Sequence, residues 1–294
     1  FAFFNSIDES GLYSHFTNAT PTPTMALWPA HEQRAHAALT SRIAASEARL
    51  ARLARRAEPA FRAWRTGASV VPPAPIAHLP FDTTEGTATT PDLVARSSAT
   101  LQDSPELVAD AEATGGHALR FNGDNTVTHA GVRVFSRIDP FSIAVRVKPT
   151  ETQARAVVLH QSRAWTDAAS RGFELTLDQG RPFFALAHFW PGNAVAIRTR
   201  APLPIGQWSS VTVTSDGSSR AAGLVIYVDG VAAPVDVVRD RLTRDILYDK
   251  EAGDLQAKPA PLMLGGRFRD SGFRNGLVDD LRVTAAGAAP NPTP

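Results

Sequence analysis

The sequence predicts a mainly β protein, a two-sheet antiparallel sandwich or jelly roll preceded by one long α-helix. Three observations point to this class. About a dozen short apolar runs follow Ile76 and are separated by turn residues. Two pairs of these runs are joined by tight-turn residues, and only residues 30–65 show a sustained helical period.

Composition and charge set broad limits on function. The chain has 294 residues, 43% of them hydrophobic and 20% charged, which is ordinary for a globular protein. Its net charge of +1 gives no field that would recruit nucleic acid, and no apolar run approaches the length of a membrane span. The chain has no cysteine, so disulfides, cysteine metal sites and the haem attachment motif C-x-x-C-H are excluded. We therefore expect no nucleic-acid partner, no membrane span and no haem in this segment.

The chain divides into five segments by composition and hydrophobic pattern. Residues 1–28 mix aromatic residues with turn formers and are too short for a core of their own, so we interpret them as the tail of a preceding domain that packs on a neighbour. Residues 29–65 form the predicted helix, and residues 66–75 a stiff Pro-rich linker. Residues 76–284 form the predicted sandwich, and residues 285–294 a disordered tail.

The helix carries a heptad stripe with alternating spacings of four and three residues. Its members are Leu39, Ile43, Ser46, Leu50, Leu53, Ala57, Ala60 and Trp64. Pro59 predicts a kink or an end of the helix near Glu58. A narrow stripe of this kind favours a partner helix, as in a coiled coil. The sequence leaves three partners open, namely flanking sequence, a second copy of the chain, or the surface of the sandwich.

The strands are predicted from short apolar runs, several of which alternate in polarity. The clearest are residues 117–121, 141–148, 156–160, 172–177, 182–189, 194–200, 208–215, 223–228, 262–265 and 276–283. The sequences Asp178-Gln-Gly180 and Asp229-Gly230 predict hairpin turns between neighbouring strands.

The order of these strands resembles laminin-G-like jelly rolls of the concanavalin A-like lectin/glucanase group. The resemblance rests on HLPFD at 78–82, HALRFNGDNTV at 117–127, FSIAVRVKP at 141–149, GQWSSVTVTSDG at 206–217, LVIYVDGV at 224–231, PLMLGGR at 261–267 and NGLVDDLRV at 275–283. It implies the sandwich fold over essentially all of residues 76–284. Arg146 departs from the pattern, because the family usually has tryptophan there.

The flanking sequence is similar to that of large planctomycetal multidomain proteins that carry a cytochrome-c-like domain. Residues 1–23, the helix and the phrases RAWTDAASRGFEL and HFWPGNA carry this second resemblance. It implies an exported protein, periplasmic or in the cell envelope, and flanking domains as partners of the sandwich.

A cluster of polar and aromatic residues within 160–198 is the candidate ligand site. Its members are His160, Arg163, Trp165, Asp167, Arg171, His188, Trp190, Asn193 and Arg198. Tryptophan beside charged hydrogen-bonding groups is typical of sugar binding. Docking on flanking domains and simple anchoring of loops are alternatives for the same residues. We therefore expect a non-catalytic binding or docking module for carbohydrate or protein, with a purely structural bridge between domains as the alternative.

Catalysis is not expected from the motifs. No strand carries the closely spaced acids of a retaining glucanase, since the nearest pair, Glu174 and Asp178, has the wrong spacing. A glycoside hydrolase is therefore the less favoured hypothesis. Neither G-x-S-x-G nor H-E-x-x-H occurs.

Calcium is the one cofactor considered, because the resemblance implies a structural ion held by oxygen ligands. The candidate ligands are Asp82, Asn122, Asp124 and Asp279. Their alternative role is that of solvated turn acids and caps.

Overall fold

A computed structural model describes residues 28–67, 73–95, 97–163, 171–247 and 259–285. The predicted tail of a preceding domain lies almost entirely outside the described residues, as do the middle of the linker and the C-terminal tail. Trp165 and Asp167 also lie outside them. The chain has two units, one spanning Thr24–Pro72 and the other containing the strands.

The helix α1 spans Ala30–Gly67 and begins where the carbonyl of Pro29 accepts the N–H of Gln33 at 3.0 Å. It runs through Pro59, so the expectation that it could end near Glu58 is wrong. Proline removes one backbone donor, while good helix formers on both sides keep their own bonds. An ion pair between Arg62 and Glu58, at 2.5 Å, spans the proline. Within the described residues, no helix is both long and apolar enough to cross a membrane.

The sandwich consists of two antiparallel sheets. Its strands are β1 Ala77–Leu79, β2 Thr89–Pro91, β3 Ser98–Gln102, β4 Glu106–Ala109, β5 His117–Asn122, β6 Thr126–His129, β7 Phe141–Lys148, β8 Arg155–Gln161, β9 Gly172–Asp178, β10 Arg181–Phe189, β11 Asn193–Thr199, β12 Ser209–Ser215, β13 Leu224–Val228, β14 Val231–Ala232, β15 Val235–Asp240, β16 Leu262–Leu264 and β17 Arg274–Thr284. Among the described residues, the first sheet has the order β14-β13-β12-β7-β17-β5-β4, with β1 paired to β17. The second sheet has the order β15-β11-β10-β9-β8-β16-β6-β3-β2. The predicted fold class is therefore confirmed.

Both predicted hairpin turns are present. Gln179 and Gly180 have φ of 52° and 77°, and they connect the paired residues Asp178 and Arg181. Asp229 and Gly230 have φ of 50° and 79° between β13 and β14. Two successive residues with positive φ give the two-residue turn whose twist matches that of the flanking strands.

The core lies between the facing sides of the two sheets. Its centre is aromatic, with the rings of Phe135 and Phe141 stacked 4.5 Å apart and Phe173 and Phe184 beside Phe141. Across the second sheet, Leu159, Leu175, Phe184 and Ile197 are paired in register and all face this core. The residues between them in each strand consequently face outward.

Candidate functional site

The outward side of β8–β11 and β15 is the candidate functional surface, called here the outer face. Residues paired in register share a side of a sheet, so its composition can be read across the strands. One row consists of His160, Glu174, Ala185, Ala196 and Arg239. The next row consists of Val157, Thr176, Phe183, Arg198 and Asp236. The outer face therefore combines small residues, one aromatic ring and charged groups. Most of its members are buried, and only its edge at Arg198, Asp236 and Arg239 is partly exposed.

Trp190 lies on the outer face at the end of β10. Its ring meets that of Phe183 edge-on, with centroids 5.7 Å apart, and the two pack with Ala185 and Ala196. The guanidinium of Arg239 lies 5.7 Å from the centroid of the indole ring. Trp190 is half-buried, so packing holds the ring in place while part of it faces solvent.

Arg198 is a second polar group on this surface. It pairs in register with Phe183, and its guanidinium forms an ion pair with Asp178. The sequence cluster thus contributes Trp190 and Arg198 to one surface. Both residues belong to the hairpin of β10 and β11, so residues that are close in sequence are also brought together in the sheet.

Arg171, His188 and Asn193 instead anchor the chain at residues 243–247. Arg171 donates to the carbonyl of Leu247 at 3.2 Å, and Nδ1 of His188 donates to the carbonyl of Asp245 at 2.6 Å. The amide oxygen of Asn193 accepts the N–H groups of residues 243 and 244, both at 3.1 Å. These three side chains therefore make the contacts expected of residues that anchor a loop.

His160 is fully buried, so its side chain is not exposed for contact with a ligand at the protein surface. Its Nε2 donates to the carbonyl of Gly266 at 3.1 Å, and its Nδ1 accepts the N–H of Ser162 at 3.2 Å. Burial, with a contribution from the positive charge of Arg267, lowers the pKa of His160 to about 3. The ring is therefore neutral at physiological pH. Arg163 is half-buried at the edge of the described residues.

A buried charge network fastens the chain after β16 onto the outer face. Arg267 contacts both Glu174 and Asp270, the latter at 2.6 Å, and Arg155 donates to Asp270 at 2.8 Å and to Glu174 at 3.1 Å. The side chains of Arg267 and Asp270 are each 1% exposed, and that of Glu174 is 6% exposed. Two positive and two negative charges therefore balance, and only Arg155, whose side chain is 23% exposed, reaches solvent.

Phe268 is the residue that the sequence reasoning missed. It is 72% exposed, although Arg267 and Asp270 on either side of it are buried in the charge network. An exposed aromatic ring beside charged groups is a candidate contact for a sugar ring. No local sequence signal marks it, because its support comes from Glu174 and Arg155, about a hundred residues away.

The calcium candidates divide into two pairs. The amide oxygen of Asn122 accepts the N–H groups of Asp124 and Asn125, both at 2.9 Å, and Asp124 is exposed, so these two residues form a solvated turn. Asp82 lies against Gly115, and Asp279 contacts the adjacent Thr114. Oδ2 of Asp279 accepts the N–H of Thr114 at 2.7 Å, and a side chain on Gly115 would place its Cβ 2.0 Å from Oδ1 of Asp82.

The remaining carboxylate oxygens of this pair fit a hard cation. Oδ1 of Asp82 and Oδ1 of Asp279 are buried and have no hydrogen-bond partner among the described residues. Burial raises the pKa of Asp279 despite its hydrogen bonds with Thr114 and the charge of Arg146. Buried carboxylate oxygens are costly unless a donor or a cation satisfies them. Within the described part of the chain, no three His, Cys, Asp or Glu residues form a metal cluster, so backbone carbonyls or water would have to complete the coordination.

The family of the chain follows from a comparison with known families. Residues 121–286 match the laminin G model described as the concanavalin A-like lectin/glucanases superfamily. The chain belongs to this superfamily.

Several solved structures are similar to this chain. The fourth domain of an extracellular arabinanase from Geobacillus stearothermophilus, solved with arabinotriose, is 18% identical over 76% of this chain and 97% of its own, with a TM-score of 0.48. The binding domain of Paraclostridial Mosquitocidal Protein 1 is 12% identical over 73% and 49%, with a TM-score of 0.51. A Trypanosoma rangeli sialidase is 14% identical over 76% and 33%, with a TM-score of 0.47. The chain thus spans about half of the toxin domain and a third of the sialidase, and no curated protein matches it.

The superfamily name covers both lectins and glucanases. A glucanase needs acids that can hold and release a proton, so the surroundings of the acids on the outer face bear on this distinction. Burial alone would raise the pKa of Asp270, but hydrogen bonds and charges from Arg155 and Arg267 outweigh it and leave this pKa below its ordinary value. A glycosidase acid needs the opposite shift, because it must hold a proton near neutral pH. An apolar cavity of about 110 Å³ beside Phe135, Phe173 and Ile246 has no carboxylate among its described lining residues.

Proposed function

We propose that the sandwich is a non-catalytic carbohydrate-binding module whose ligand lies against the outer face. The observation that carries this proposal is the exposed ring of Phe268, in the segment that the buried charge network fastens onto the outer face, where Trp190 also lies. The ring of Trp190 is held by packing, so it loses little entropy when a ligand binds. Arg198 and Arg239 add hydrogen-bonding groups next to the rings.

The non-catalytic part of the proposal rests on the ion pairs of Glu174 and Asp270. Both carboxylates contact Arg155 and Arg267 and are almost completely buried, so neither is open to a sugar. Hydrolysis of a glycosidic bond requires one carboxylic acid to donate a proton and a second carboxylate to act on the opposite side of the sugar. These two groups stabilise the fold instead.

Affinity gel electrophoresis against a panel of neutral and acidic polysaccharides tests the proposal. We expect retardation by at least one polysaccharide, and a loss of affinity of about tenfold in Trp190→Ala and in Phe268→Ala. Val231→Ala is the matched control, because Val231 is 71% exposed on the first sheet. Unchanged retardation in both aromatic variants, or no retardation by any polysaccharide, would overturn the proposal.

The setting we propose is a larger exported protein with domains on either side of this module. Support comes from the resemblance of residues 1–23 and of the helix to planctomycetal multidomain proteins. If flanking domains cover the outer face, the module is a structural bridge. Phe268→Ala would then increase protease cleavage between the domains of the longer protein and would leave its polysaccharide binding unchanged.

We also propose that a structural calcium ion is held by Asp82 and Asp279. The support is the pair of buried Oδ1 atoms beside Thr114 and Gly115. When bound, calcium would neutralise these carboxylates and tie the end of β1 to β17. Asn122 and Asp124 are left out of this proposal, because their own turn occupies the amide oxygen of Asn122.

A further inference from the structure

The apolar stripe of α1 is exposed along its whole length. The four largest aliphatic members, Leu39, Ile43, Leu50 and Leu53, are 53%, 57%, 66% and 49% exposed, and Trp64 is 55% exposed. No residue of Ala30–Trp64 is buried or half-buried. An exposed apolar patch of this extent marks an interaction surface.

The stripe can be divided into the two core positions of a coiled coil. Spacings of three and four residues place Ile43, Leu50, Ala57 and Trp64 at position a. They place Leu39, Ser46, Leu53 and Ala60 at position d. The core residues are mixed, since Ile43 is the one β-branched residue at position a, and they do not by themselves set the orientation of a partner.

The rows on either side of the stripe decide the orientation of the partner. Position g, just before each a residue, holds Arg42, Arg49, Arg56 and Ala63. An antiparallel copy would set this row against itself, because g faces g in that arrangement, and like charges would repel.

A parallel copy is complementary instead. Each g residue then faces the e residue five positions further along the partner. Arg42 faces Glu47 of the other copy, and Arg56 faces Phe61, an arrangement suited to an ion pair and to a cation–π contact. Arg49 faces Ala54, which carries no charge.

Pro59 does not interrupt this surface. With Ala57 at position a, Pro59 occupies position c, which points away from the seam. The backbone bond that proline removes is consequently on the outer side of the helix, and α1 continues through it.

We infer that α1 is the dimerisation element of this chain and pairs with a second copy as a parallel two-stranded coiled coil. Both copies leave the coil at the same end, at Gly67. Two copies of the module on one dimer would bind a repetitive polymer more tightly than one, through effective concentration.

Sedimentation velocity of the whole 294-residue chain tests the inference. We expect a dimer for the unmodified chain and a monomer for Leu50→Glu, which places a charge in the seam. Ala51→Glu is the matched control, because it adds the same charge at the neighbouring outward position and should remain a dimer. A monomer at every concentration of the unmodified chain, or a dimer that persists in Leu50→Glu, would overturn the inference.

Two further variants test the parallel orientation. The chain has no cysteine, so Leu39→Cys introduces a single thiol at one end of the stripe. It should form a disulfide-linked dimer on mild oxidation only if the copies are parallel, since Leu39 would otherwise face the region of Trp64. Glu47→Arg should weaken the dimer about threefold or more, and Arg42→Glu in the same chain should restore it. A dimer without the cross-link would refute the parallel arrangement.

Discussion

Arg267 shows what a single side chain does for the outer face. Its guanidinium contacts Glu174, Asp270 and the hydroxyl of Ser162 at 3.0 Å, and it is almost completely buried. A buried arginine is tolerated because two carboxylates neutralise it and Arg155 together. Removing one carboxylate would leave a positive charge without compensation in a medium that solvates it poorly.

Asp270→Asn is therefore expected to lower the free energy of unfolding by about 3–5 kcal/mol. Urea denaturation followed by tryptophan fluorescence measures this difference. Asp236→Asn is the control, because Asp236 and its partner Arg200 are 47% and 67% exposed, and exposed pairs contribute about 1 kcal/mol or less. Similar losses in both variants would contradict the structural role of the network.

At the scale of elements, the long alternating strands were predictable and the short polar ones were not. Phe141–Lys148 and Gly172–Asp178 have apolar residues at every second position and match the predicted strands closely. Thr89–Pro91 and Ser98–Gln102 consist mostly of polar residues, and they are strands only because β6 offers its edge to β3. The helix does not end near Pro59, because one lost backbone bond does not outweigh the helix formers around it.

Gly265, at the end of β16, illustrates how closely the elements approach one another. Its φ is +85°, and a Cβ there would lie 2.0 Å from the ring of the buried Phe121. Gly265→Ala should lower the free energy of unfolding by about 3 kcal/mol, from backbone strain and overpacking together. Gly206 has a φ of +73° with nothing within 4 Å, so Gly206→Ala should cost only the strain, about 1 kcal/mol. Equal losses of stability for the two variants in thermal melts would show that the protein relaxes to avoid the contact with Phe121.

At the scale of the whole molecule, the outer face exists only after the sheet has assembled. Trp190 and Arg198 could be grouped from the sequence because β10 and β11 form a local hairpin. Arg239 and Phe268 could not, because they reach this face through β15 and through a charge network that joins distant segments. Burial of His160 was equally invisible, since it depends on Gly266 and Arg267.

Calcium provides the prediction that concerns the whole fold, because the proposed ligands Asp82 and Asp279 lie after β1 and in the middle of β17. An ion that binds only the folded state stabilises it by roughly 2.7 kcal/mol at a hundredfold excess over its Kd. For a sandwich of this size, that corresponds to a rise in Tm of about 5–10 °C.

Thermal melts in calcium and in chelator should differ by this amount for the unmodified chain and for Asp124→Asn, whose carboxylate is exposed. They should coincide for Asp82→Asn, which removes one of the two buried oxygens from the site. Coincident melts of the unmodified chain would remove calcium from the fold, and loss of the shift in Asp124→Asn alone would move the ion to the turn at Asn122.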